Sequence, residues 1–489
     1  MVGFGVKILS VKIFFPVFFG DLEILLRIWS LLFLFIVVII RIRVIIFSFC
    51  YISGLRVSNF VLLYYRFVVR ILWLIITNNF YWIMFGWDGL GVVSFLLIVF
   101  YINHERINNG LFTLFQNRVG DLFFVLFMLG IIDLVIWSRT VVKIGLVWLV
   151  IGGCVKRAQF PFNAWLLSAM RAPTPISSLV HSSTLVVAGV FVLLQFRYCL
   201  LDVLLVLKYI RILRLILRRI GLLNETDIKK LIAYSTIRHV ALMIYLLSFQ
   251  LFKVVYFHLN IHAIFKSLIF MCFGFVILSS FHSQDKRLVR LNQLNPVIKI
   301  IYYFSCLCLI GLPILRGFFS KDFIIEKIME RSLEWVYVRF LLVFLGIRIY
   351  YRMKLAILYN CSYRYRIFDK NYLGIWRVIL IIFIRIFIIN IYIRLLFRVR
   401  LEILSLKIRI YIWVIVFIFL RLLSNLNFKF NVYDKIKNFK EIWLIRVYNL
   451  DKYIYWNIFL FIEYIGVVNN VKLFFLLNWW VVVIILIIF

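Results

Sequence analysis

The sequence predicts an all-α, polytopic membrane protein of about 13–16 transmembrane helices, at roughly 20 residues per span. Three observations predict it. Hydrophobic residues fill 65% of 489 positions and the mean hydropathy is +1.06, whereas soluble domains run at about 45–50% apolar. Apolar runs long enough to span recur almost end to end. Strict polar–apolar alternation is missing, which excludes a β-barrel.

Taken in order, residues 1–78 read as N-terminal transmembrane helices, with apolar runs at 24–50 and 57–78. Residues 1–20 lack a small-residue cleavage site and run into further apolar sequence, so no removable signal or transit peptide is expected. A central region, 79–325, holds runs at 90–102, 122–137, 141–155, 184–207, 263–281 and 297–315, and most of the ionisable residues discussed below. Residues 326–424 carry three further runs, 338–358, 373–397 and 408–424. Residues 425–470 mix Lys, Asp and Glu with Phe, Ile and Tyr, as in an amphipathic helix on a membrane surface. The last run, 471–489, is long enough to anchor it.

The seven cysteines (50, 154, 199, 272, 306, 308 and 361) are scattered in or beside apolar runs and read as small buried hydrophobes. Cys306 and Cys308 are too close for a CxxC site, so no zinc or iron–sulfur ligation is expected. Phe is abundant (52), while Pro (6) and Met (8) are scarce, the vocabulary of an AT-rich, organelle-like coding sequence. The formal charge of +36 invites a nucleic-acid or anionic-lipid reading, but the basic residues punctuate apolar stretches rather than forming a solvated patch. Arg211, Arg214, Arg218 and Arg219 interrupt one such stretch, and Arg377, Arg385, Arg394, Arg398 and Arg400 another.

The informative residues are lysines stranded in apolar sequence. Lys156, Lys266 and Lys321 each have polar or titratable company. An ammonium at a helix centre costs about 2.5–3.5 kcal/mol on insertion scales and by default marks an ion or proton route. Lysine also exchanges its proton readily once buried. Asp88 lies in the glycine-edged segment GWDGLG, where it reads either as the partner of a neighbouring lysine or as a cap. Asp121, in NRVGD, reads equally as a functional acid or as a favourable charge at a helix start. Lys156 falls just before Pro161, which cannot continue a helix; a helix interrupted at membrane depth lines a cavity. His181, beside small hydroxyl residues, is either a packed core histidine or a relay group.

His258, His262 and Lys266 follow i, i+4, i+8 spacing and so share one helix face. No carboxylate accompanies the two histidines and a lysine repels a metal ion, so the pattern suits a proton wire better than a metal site. Pro313 and Gly317 interrupt another run just before Lys321 and Asp322. Broken segments bearing lysines, once near 156 and again near 321, suggest two related halves.

The segments GWDGLG (86–91), NRVGD (117–121), GGCVKRAQFPFNAWLLSAMRAPTPISSLVHSSTLVVAG (152–189), DIKKLIAYST (227–236), HLNIHAIFKS (258–267) and LPILRGFFSKD (312–322), taken together, resemble the chain 5 family of mitochondrial NADH–ubiquinone oxidoreductase. These are the distal antiporter-like subunits of respiratory complex I. The resemblance implies an antiporter-like core of two inverted five-helix repeats with broken helices, a C-terminal lateral helix and a final span. It implies multi-pass residence in the mitochondrial inner membrane and proton translocation coupled to NADH oxidation and ubiquinone reduction in partner subunits. No cofactor is implied in this chain; NADH, flavin, iron–sulfur clusters and ubiquinone belong to those partners. The partners implied are other complex I subunits, especially the adjacent antiporter-like chain 4, and membrane lipids such as cardiolipin, with no nucleic acid.

By motif position, Asp88 stands for the acid of the first ion pair, usually glutamate in the family; its shorter side chain bears on the reach to Lys156. Asp121 matches a second acid, and Lys156 the broken-helix lysine. His181 matches the link between half-channels, His258, His262 and Lys266 the central relay, and Lys321 with Asp322 the exit site. A sodium/proton antiporter subunit of the related multi-subunit family is the alternative. A basic membrane-anchored nucleic-acid or lipid binder would need clustered surface charge and a soluble domain, and the sequence offers neither.

One set of departures has a common direction. The resemblance implies small or hydroxyl residues where this chain has Arg157, Arg238 and Arg316, and in some relatives Arg171. If AGA and AGG codons, read as serine in several invertebrate mitochondria, were translated here as arginine, most of the excess charge would vanish. Serine in place of Arg157, Arg214 and Arg316 is therefore expected in peptide mass spectra of the native protein. Arginine at 214 and 316 would refute the recoding.

Overall fold

The computed structural model describes residues 7–13, 22–52, 56–132, 139–159, 162–180, 184–196, 227–280, 284–285, 296–310 and 324. The regions assigned above to 326–424, 425–470 and 471–489 lie outside them.

The described chain begins with an antiparallel hairpin, β1 (Lys7–Ile13) and β2 (Leu22–Arg27), in register from Lys7↔Arg27 to Ile13↔Leu22. This departs from the all-helical expectation for 1–78. The run is apolar, but β-branched residues are frequent in β1 and Pro16 and Gly20 prevent a continuous helix. An isolated bridge from Ile24 to Thr77 ties β2 to the chain just after α2.

Helices follow: α1 (Ile28–Tyr51), α2 (Arg56–Ile76), α3 (Phe80–Val99), α4 (His104–Ile132) and α5 (Arg139–Lys156). Then come short α6 (Ala164–Ala169) and α7 (Thr174–Leu179), and α8 (Leu185–Gln195), α9 (Ile228–Leu247), α10 (Phe252–Ser279) and α11 (Pro296–Ile310). Among the described residues six helices are long and apolar enough to cross a membrane: α1 to α4, α9 and α10. The chain is thus a mostly helical, multi-pass membrane protein.

Two span boundaries differ informatively from the sequence reading. The runs at 90–102 and 122–137 start late because Asp88 and Asp121 interrupt the hydropathy. The helices pass straight through both: α3 already begins at Phe80 and α4 at His104. Asp121 is therefore well inside a helix, which removes its reading as a charge at a helix start.

The helices sort by burial. Side chains such as Phe35, Ile42 and Phe49 on α1 and Leu62 and Tyr65 on α2 point outward, an apolar surface suited to lipid. In α9, every residue except Lys230 is buried, and a helix buried all round belongs in the interior of a bundle. Its neighbour α10 packs on α9, α7, α11, α1 and α8.

The end of α5 positions the first cluster. Ala158 N–H bonds to Val155 O at 3.0 Å and Gln159 N–H to Cys154 O at 2.9 Å, the paired closure of a Schellman motif. Ala158 takes the left-handed conformation (φ 50°), which costs a non-glycine residue about 1–2 kcal/mol. Trp165 Nε1 also donates to Val155 O at 2.9 Å. The helix thus stops directly after Lys156, before Pro161 is reached. The expected interruption is present, but its cause is this backbone cap.

Glycines bring α4 onto α5. A Cβ on Gly152 would lie 3.0 Å from Gly120 O, and one on Gly120 would lie 3.1 Å from Val155 Cγ1. Only glycine permits backbones this close. Gly152→Val is expected to cost about 1–3 kcal/mol through overpacking, read as a lower thermal midpoint and less assembled protein.

Candidate functional site

Two buried polar clusters occupy the described core. The first lies where α3, α4 and α5 meet. Lys156 Nζ sits 2.8 Å from Asp121 Oδ1 and donates to Trp87 O at 3.2 Å. The ammonium also lies 5.3 Å from the Trp87 ring centroid, within cation–π range. Arg118 Nη1 stands between the acids, 3.5 Å from Asp121 Oδ2 and 3.6 Å from Asp88 Oδ2. Asp88, Asp121 and Lys156 are buried, while Arg118 is about one-third exposed at 35% of its side chain. Two acids and two bases balance, which is how buried charge is tolerated.

The ion pair of Lys156 is with Asp121, whereas the sequence reading paired it with Asp88. The close Gly120–Gly152 contact sets Asp121 against the last turn of α5. On α3, Lys156 reaches the Trp87 carbonyl, and Asp88 makes its ion pair with Arg118 while also facing Asp121. The lysine fits there because a Cβ on Gly91 would lie 3.4 Å from its Nζ. Asn117, buried beside Gly91, makes no side-chain hydrogen bond among the described residues, and neither does Gln116 Oε1.

The second cluster lies between α9 and α10. His258, His262 and Lys266 share the predicted face of α10 and are all buried, Lys266 to 0% exposure. Lys266 Nζ donates to Ser235 Oγ in a very short contact and to Ile232 O at 3.4 Å. Opposite the histidines stands His239 of α9. Its Nδ1 is 3.1 Å from His258 Nε2, and its ring centroid is 5.1 Å from that of His262. The segment after α5 touches the same helix, since Gln159 Nε2 donates to Ile237 O at 3.5 Å. Lys229 fastens the start of α9 by donating to Ala172 O at 2.9 Å.

The structure thus brings Asp88, Asp121 and Lys156 together, and His258, His262 and Lys266 together. Pro161, His181, Pro313, Gly317, Lys321 and Asp322 lie outside the described residues. Sequence reasoning missed Arg118, Ser235 and His239 as site residues. Ser235 and His239 carried a usable signal: they too are four apart on one helix, like the residues they face.

A buried acid–lysine cluster and a second buried lysine in line with imidazoles lie within the helical core of a multi-pass membrane protein. The chain belongs to the NADH:quinone oxidoreductase/Mrp antiporter membrane family, whose family model matches residues 77–346. Curated relatives named NADH-ubiquinone oxidoreductase chain 5 include those of Anopheles arabiensis and Artemia franciscana. The first is 38% identical over 287 residues, 56% of this chain and 75% of the relative. The second is 36% identical over 338 residues, 66% of this chain and 61% of the relative. Against several others, such as that of Aedes aegypti, the match spans only 50% of the relative.

Solved structures share the fold. The membrane-bound sulfane sulfur reductase, an archaeal respiratory membrane complex, contains a chain matching at TM-score 0.68 and 20% identity, over 78% of this chain and 82% of that one. The Mrp complex from Dietzia sp. DQ12-45-1b contains one matching at TM-score 0.65 and 12% identity, over 73% and 71%.

Proposed function

We propose that this chain is a proton-translocating subunit of the chain 5 type in respiratory complex I of the mitochondrial inner membrane. It moves protons across that membrane while partner subunits oxidise NADH and reduce ubiquinone. The carrying observation is Lys266, wholly buried mid-helix with imidazoles along its own face and a hydroxyl across from it. Such an amine has no packing rationale that alanine or leucine would not serve at lower cost.

Lys156 is paired with Asp121 in the closed cluster. When the pair opens, an ammonium in low-dielectric surroundings without its carboxylate sheds the proton. Arg118 stays beside the freed acids, and the cluster is one positive charge short until Lys156 is reprotonated, which draws in the next proton. The proton then passes toward the His258–His262–Lys266 face and on to Lys321 with Asp322. His181 belongs to this route by motif position, and the amides of Gln116 and Asn117 offer water a place beside the first pair. Redox cofactors are assigned to partner subunits elsewhere in the complex; the neighbouring antiporter-like chain 4 is the partner beside this chain in the membrane, with cardiolipin as a lipid contact.

The Mrp-like fold keeps a second reading alive, direct sodium/proton exchange. The two separate in proteoliposomes holding the assembled complex. NADH-driven acidification that is indifferent to sodium is expected; sodium-dependent exchange without a redox donor would replace the first reading by the second.

A further inference from the structure

We infer that His239 is a proton-carrying member of the central relay, so the path crosses from α10 to α9 and back instead of running along α10 alone. His258 and His262 are separated by one helical turn, a rise of about 6 Å at 1.5 Å per residue. His239 occupies the opposing helix between them: it hydrogen-bonds His258 at 3.1 Å through Nδ1, and its ring lies 5.1 Å from that of His262 at an angle of 40°. It is buried at 1% exposure. Its i−4 neighbour Ser235 repeats the arrangement one turn away by accepting from Lys266. The relay is therefore a two-helix ladder, with His239 facing His258 and His262, and Ser235 facing Lys266.

Imidazole suits this position because one ring nitrogen accepts while the other donates. In the step, His258 has first taken up a proton and is an imidazolium; its Nε2–H bond breaks as one forms at His239 Nδ1, leaving His258 neutral and His239 the cation. That cation then passes the proton on Nε2 to His262, whose ring lies 5.1 Å away, through a bridging water. The ring is left protonated on Nδ1 and resets by rotation or by a second transfer, with no net change in the protein. Plain ring packing is the competing role, since the His239 and His258 rings also stack at 5.3 Å and 26°.

His239→Phe keeps an aromatic ring and removes both nitrogens. In the assembled complex in proteoliposomes, NADH-driven proton pumping is expected to fall at least tenfold, within the range for losing a proton-transfer group. Uncoupler should restore NADH:quinone turnover to within twofold of the unmodified complex. His239→Gln, smaller and able to keep a hydrogen bond to His258, is expected to show the same loss and serves if the phenylalanine variant does not assemble. Either assembled variant pumping at the normal proton-to-electron ratio overturns the inference. The inference rests on the proton-translocating reading, so Lys266→Ala is run beside it. If Lys266→Ala also pumps normally, that reading fails. If only the His239 variants pump normally, His239 is a packing residue and the reading stands.

Discussion

Lys266→Ala abolishes coupled proton pumping while leaving assembly largely intact: this is the largest effect expected of any single substitution in the described core. Lys266 is wholly buried, and its ammonium is held by Ser235 Oγ and Ile232 O. Removing it deletes a desolvated charge, so the fold has little to lose. The relay loses the group that takes up and releases the proton, and losses of that kind run to about 10²–10⁴-fold. Lys266→Arg is the sharper control, because guanidinium keeps the charge and cannot be deprotonated in a protein. It should fail to pump as completely as alanine. The measurement is NADH-driven acidification of proteoliposomes, set against uncoupled turnover. A complex carrying either change that acidifies at the unmodified rate would refute the role of Lys266.

Asp121→Asn is expected to be the most destabilising change at the first cluster. Lys156 is buried, and its carboxylate partner within ion-pair distance is Asp121 at 2.8 Å. Removing one partner of a buried pair leaves the other uncompensated, at a cost of about 3–5 kcal/mol. Arg118, at 3.5 Å from the same acid, would then add like-charge repulsion. Asp88→Asn should cost less, because Asp88 meets the partly exposed Arg118 at 3.6 Å while Asp121 meets the buried Lys156 at 2.8 Å. The double change Asp121→Asn with Lys156→Met removes both charges and should recover most of the lost stability. Thermal denaturation of the assembled complex reads all three. Equal effects from the two aspartates would mean that Lys156 exchanges freely between them.

Much of this was legible before any coordinates. The membrane class follows from hydropathy, and the shared face of His258, His262 and Lys266 follows from spacing alone, because four residues make about one helical turn. The interruption after Lys156 was visible too, though its cause was not. A Schellman closure on an alanine leaves no glycine to read, so Pro161 drew attention instead. The pairing of Lys156 was out of reach, since it depends on which helix the glycines of α4 and α5 bring close. Sequence neighbours of Asp88 and Asp121 say only that both acids are available. The spacing of Ser235 and His239 marks a shared helix face, but only the fold shows that this face lies against His258, His262 and Lys266. The N-terminal hairpin escaped for the opposite reason, since hydropathy does not distinguish a short apolar strand from the edge of a span.

The backbone contact between Gly120 and Gly152 has a bearing on timing. With the two main chains already touching, α4 has no gap into which to slide or tilt against α5. Opening the Asp121–Lys156 contact is therefore left to torsions about the lysine's own carbon chain and to the swing of one guanidinium. Such rotations are intrinsically faster than the microsecond-to-millisecond shearing of packed helices. On the proposed function, the slow step of translocation is therefore expected to originate outside this pair of helices.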